Sequence, residues 1–167
     1  MELSKVKYGK EIGRNLKKIG LKLAKNQKLL KLLVNTGKDP LNEKVYPEEI
    51  DGLTLLNKNI KFIPLLTADE QKETSKIVLF FEDGEINELN SDNENLSLLI
   101  NVYCPFNEWL ITGDDLRPFA IMSEIRETIQ DRRINGLGEI RYLNFSINSL
   151  TEEMGCYSMR FSINVFS

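Results

Sequence analysis

With 167 residues and 41% hydrophobic content, the chain is long enough for one domain with a single sizeable core. It contains no histidine, which removes the commonest acid–base group and the commonest nitrogen ligand of metals, and with them most hydrolase mechanisms and most zinc sites. No run of ~18 apolar residues occurs and the basic N-terminus has only dispersed apolar residues, which predicts a chain kept in water, without a signal peptide and away from membranes.

Charge is divided along the sequence. Residues 1–32 hold ten of the 22 Lys and Arg against Glu2 and Glu11, net +8. The other 135 residues hold 12 basic and 23 acidic groups, net −11, and the two parts sum to the formal −3. Such a split predicts that head and body meet different surfaces. Cys104 and Cys156 are isolated, with no ligand-type spacing, and read as buried reduced thiols in a cytoplasmic, reducing environment.

In chain order, the basic head reads as one or two helices. Val6, Ile12, Leu16, Ile19, Leu23, Leu30 and Val34 form an imperfect apolar stripe. Gly9, Gly13 and Gly20 weaken its first half by about 1 kcal/mol each relative to alanine, so the clearest helix is Leu21 to Val34. Asn35-Thr36-Gly37 and Asp39-Pro40 end it. Residues 39–59 form a short mixed segment with a helical turn around Pro47 to Leu56, and Ile60 to Pro64 a short strand.

From there the pattern turns to β. Lys76 to Phe81 is apolar and β-branched, Glu82-Asp83-Gly84 reads as a turn, Glu85 to Asn95 as a surface loop, and Leu96 to Val102 as the next strand. Asp114-Asp115-Leu116-Arg117-Pro118 reads as a helix start, with proline in the first turn and two carboxylates near its positive end. Ile121, Met122, Ile125 and Ile129 then recur at helical spacing up to residue 133, against a polar side of Glu124, Arg126, Glu127, Asp131, Arg132 and Arg133. Leu143, Phe145 and Ile147, and then Met159, Phe161, Ile163 and Val165, alternate with polar neighbours and predict an antiparallel hairpin joined by Ser149 to Tyr157. The expected architecture is α+β: an antiparallel sheet of four or more strands, a helix packed on one face, and an N-terminal helical extension. Residues 1–36 would be that basic extension and 37–167 the core domain.

Little in the chain asks for catalysis. Gly113-Asp114-Asp115 could hold magnesium as paired carboxylates do for phosphoryl transfer, but two acids before a helix read first as a cap. Gly136-Leu137-Gly138 follows a helix and lacks the Lys-Ser/Thr of a phosphate loop. No cofactor or metal is expected. The lysine-rich head could neutralise phosphates without reading sequence, although only Tyr8 is available there for base stacking.

One ordered set of segments stands out: Leu29-Leu30-Lys31-Leu32-Leu33-Val34-Asn35; Asp39-Pro40-Leu41; Asn57-Lys58-Asn59-Ile60 with Pro64; the strand to Cys104; Leu116-Arg117-Pro118 with its helix; Gly136-Leu137-Gly138-Glu139; and a final pair of strands. In this order, spanning residues 21–166, they resemble small neck proteins of tailed bacteriophages, above all the tail-terminator or tail-completion group of head–tail joining proteins. The resemblance implies a structural virion protein without enzymatic activity, found in the neck of the virion and, during assembly, in the host cytoplasm. Its implied partners are copies of itself in a ring, a hexamer, together with adjacent neck, tail-tube or connector proteins and non-specific contact with packaged DNA. Heterologous ring contacts suit a chain with regions of opposite charge, and edge strands that need covering. The candidate assembly or DNA-path contacts are Lys17, Lys18, Lys22, Lys25 and Lys28 of the head, Trp109 in the loop after Pro105, and Arg117. The competing reading is a nucleic-acid-binding accessory protein that uses residues 1–32.

Overall fold

The computed structural model describes residues 2–44, 48–63, 66–67, 69–70, 74–86, 93–134 and 137–166. Its first two elements are helices α1 (Glu2–Leu23) and α2 (Gln27–Val34). The basic head is thus two helices, and the expected helix from Leu21 to Val34 is interrupted because Asn26 starts a new one: its side chain accepts from the Leu29 N–H at 3.1 Å. On α1, Asn15, Ile19 and Leu23 are buried and Ile12 and Leu16 partly so, the stripe a helix presents every three or four residues. On α2, Leu29, Leu30, Leu32 and Leu33 are all buried.

Strand β1 (Ile60–Lys61) is short and parallel to β2 (Lys76–Ile86). Then come β3 (Asn93–Pro105), a two-residue ribbon β4 (Leu110–Ile111) and β5 (Asp115–Leu116), helix α3 (Arg117–Ile129), and the hairpin β6 (Ile140–Leu150) and β7 (Met154–Phe166). The main sheet has the order β1-β2-β3-β7-β6, antiparallel throughout except for the β1 pair. This is the expected α+β fold with an N-terminal helix.

Several local expectations are corrected. Glu82-Asp83-Gly84 is no turn: β2 runs through it, with a register shift between Phe81 and Asp83, so the extra residue is absorbed as a bulge. The hairpin is longer and tighter than expected, with residues 151–153 between its strands. The acids before α3 do not cap it. The N-cap position is Leu116, which has no side-chain cap bond, while Asp115 accepts from the Leu116 N–H at 2.7 Å. Gly113 and Asp114 have left-handed backbone (φ 90° and 58°), so these residues make the tip of the β4–β5 ribbon. α3 ends at Ile129, leaving Asp131, Arg132 and Arg133 outside it. The expected Glu85–Asn95 loop is shorter, since Glu85 and Ile86 end β2 and Asn93, Glu94 and Asn95 begin β3; residues 87–92 fall outside the described residues, as do Pro47, Pro64 and Gly136.

The helices lie on one face of the sheet. Ile121, Ile125 and Ile129 of α3 join Ile77 and Leu79 of β2, Leu98, Ile100 and Val102 of β3, and Met159, Phe161 and Ile163 of β7 in one core. Each fully buried aliphatic side chain contributes about 1.5–3 kcal/mol. Ile19, Leu23 and the four leucines of α2 belong to that same core, so it runs across residue 36 without a break. Asn26 also ties the α1–α2 junction to α3, donating to a Glu124 carboxylate oxygen at 2.9 Å and to the Thr128 hydroxyl at 2.8 Å.

Candidate assembly surfaces

Two of the residues singled out from sequence turn inward. Arg117 has no exposed surface. Its Nε donates to the Glu108 carbonyl at 2.7 Å, its Nη1 to the carbonyls of Leu32 (2.8 Å) and Asn35 (2.6 Å), and its Nη2 to that of Gly37 (2.7 Å). The guanidinium therefore satisfies carbonyls at and just beyond the negative end of α2. Trp109 is also tucked in. It stacks near Phe106 and Tyr157, with ring centroids 5.2 and 6.1 Å away, and covers Gly155, where an added Cβ would come within 2.4 Å of the indole. A side chain at 155 would push the indole off the sheet.

Around Arg117 lies a buried polar cluster. Ser75 donates to Glu108 Oε2 at a long 3.4 Å. Burial pushes the Glu108 carboxyl above its usual range, against the opposing pull of Arg117 and Ser75, and burial likewise lowers the Arg117 value. Cys104, beside them, is pushed up to about 12, chiefly by burial, so it stays a thiol. Both cysteines are buried and unbridged.

The lysines of the head are outward. Lys17, Lys22, Lys25 and Lys28 are exposed and Lys18 is half-buried. Lys10, Arg14 and Lys17 follow one another at i, i+4 and i+7, which gives α1 a basic ridge opposite its buried stripe. Among the described residues no three His, Cys, Asp or Glu gather as a metal site requires, and no helix is long and apolar enough to cross a membrane.

The surface that sequence reading missed is the outer strand of the sheet. Leu143, Phe145 and Ile147 of β6 alternate with polar neighbours as residues of a half-buried strand do, yet they are 53, 50 and 59% exposed. Leu143 falls in a register shift between Tyr142 and Asn144. Phe145 and Ile147 stand opposite Met159 and Tyr157 on the helix side, where α3 offers only Phe119, 6.1 Å from the Phe145 ring. From Arg141 onward, no described strand pairs with the outer side of β6, whose only charged residue is Arg141. The signal was present in the sequence: an alternating strand whose polar positions are nearly all Asn and Ser lacks the charges that usually guard an edge. The opposite side of the sheet is open too, since β1 pairs with Ile77 and Val78 only and no described strand flanks β2 beyond them.

These features define an α+β domain with sheet edges that no described strand covers and a basic helical ridge. The family YomW matches residues 26–163, and the chain belongs to that family. No curated protein matches it. Among solved structures it is similar to a chain of the virion of a native gene transfer agent particle, at 9% identity and a TM-score of 0.43, covering 66% of this chain and 80% of that one.

Proposed function

We propose that the chain is a structural virion protein of a tailed phage, a ring-forming tail-terminator or head–tail joining subunit of the neck, without catalysis. Membership of YomW, a phage-associated family, supports the virion reading. The observation that carries the ring reading is the β6 edge, with three large apolar side chains at least half exposed beside backbone that no described strand pairs. Such an edge left in water is a template for uncontrolled pairing, and a neighbouring subunit covers it. The partners on this reading are copies of the chain, about six in a closed cyclic ring, flanked by connector and tail-tube proteins.

The basic ridge of α1 favours a second reading, non-specific contact with nucleic acid through Lys10, Arg14 and Lys17. It predicts a monomer whose DNA affinity falls steeply with salt. The experiment that tests the first reading is mass spectrometry and immunogold labelling of virions from the phage that encodes the chain. Label at the junction of head and tail supports it, and virions that lack the chain overturn it.

A further inference from the structure

We propose that the subunits join through their sheets: the β6 edge of one copy pairs, antiparallel, with the free outer edge of β2 of the next. This deepens the ring reading and rests on it. Strands β2, β3, β7 and β6 alternate in direction, each antiparallel to its neighbour. Because they are four, a second copy set beside β6 in the same orientation presents a β2 that runs opposite to β6, and the alternation continues unbroken. Every copy then uses β6 on one side and β2 on the other, which is the heterologous contact that a cyclic ring repeats. Pairing β6 with another β6 about a two-fold would stop at a dimer.

The side chains agree with that direction. β2 begins apolar, with Leu79, Phe80 and Phe81, and ends acidic, with Glu82, Asp83 and Glu85 exposed. The start of β6 carries exposed Arg141, which pairs with Glu139 at 3.5 Å, and the Arg133–Glu139 bridge brings exposed Arg132 and Arg133 to the same end, so arginines outnumber the one acid there before the strand continues apolar with Phe145 and Ile147. Antiparallel placement sets acid against base and apolar against apolar together, whereas parallel placement would set Arg141 beside the apolar half. A register that opposes Arg141 to Glu85 opposes Phe145 to Phe81 and Ile147 to Leu79, and keeps these apolar residues on the helix side of both strands. The helix layer fits as well. α1 packs on β2, and its Gly20 touches Phe62 just after β1, so the layer is complete at the β2 edge and thin at the β6 edge. The next copy's α1 thus comes to lie near the bare Phe145 and Ile147.

The test is a charge exchange in the full chain, read by native mass spectrometry and by thermal melting. Arg141→Glu and Glu85→Arg should each shift the ring toward monomer at least tenfold in concentration with an unchanged melting profile for the monomer, and the double exchange should restore it. A cysteine pair, Asn144→Cys with Glu82→Cys, should give a covalent ladder under mild oxidation, and neither single variant should. A parent ring unaffected by both single exchanges overturns the edge pairing and leaves the ring reading standing. A covalent dimer from Asn144→Cys alone overturns it in favour of the two-fold β6 contact. A parent that is monomeric throughout overturns the ring reading itself.

Discussion

Nη1 of Arg117 stands 2.8 Å from the carbonyl oxygen of Leu32, so the first residue of α3 closes the last turn of α2. With Asn35, Gly37 and Glu108 it gathers four backbone carbonyls around one buried cation. Arg117→Met leaves those carbonyls without donors and should cost about 3–5 kcal/mol. Arg117→Lys keeps the charge and loses the fork, so it should restore only part of that. Urea denaturation checks both, and a methionine variant within about 0.5 kcal/mol of the parent would contradict a capping role.

Glu108 gives the fold a signed pH dependence. Its folded-state pKa is raised, first by burial, so the folded chain holds this proton more tightly than the unfolded one. Between the ordinary glutamate value and the raised one, this group therefore adds stability as pH falls, and above the raised value the penalty is present in full. Glu108→Gln retains a partner for Ser75 and removes the titration. Its stability advantage over the parent should be largest at neutral pH and shrink toward acid. Melting temperatures of the two proteins across pH 4–8 check this, and an advantage that grows toward acid would contradict it.

A chain starting at Leu21 tests whether α1 is part of the core. It loses Ile19, which is wholly buried, together with Asn15 and the partly buried Leu16. The expected cost is about 2–5 kcal/mol, the range for emptying a buried aliphatic site. An unchanged urea midpoint would mean that α1 serves assembly alone.

The antiparallel C-terminal hairpin and the α3 core positions follow from patterns that sequence displays directly. Ile121, Ile125 and Ile129 have one helical spacing and one environment, so periodicity reads them correctly. Phe145 and Ile147 have the same local alternation as Phe161 and Ile163, yet they lie half exposed while the latter are buried. Alternation tells which side of a strand a residue takes, and only the tertiary arrangement tells whether that side is covered. Arg117 illustrates the converse. A lone arginine before a proline looks like a surface charge, and only the arrival of the α2 C-terminus, 80 to 85 residues earlier in the chain, adds three acceptors to the nearby Glu108 carbonyl.

Whether this chain closes a ring with its own copies is read out by native mass spectrometry of the 167-residue protein across a range of concentrations. One closed species of about six subunits, free of nucleic acid, is expected. A monomer at every concentration, or one that gains mass only by binding DNA, would contradict it.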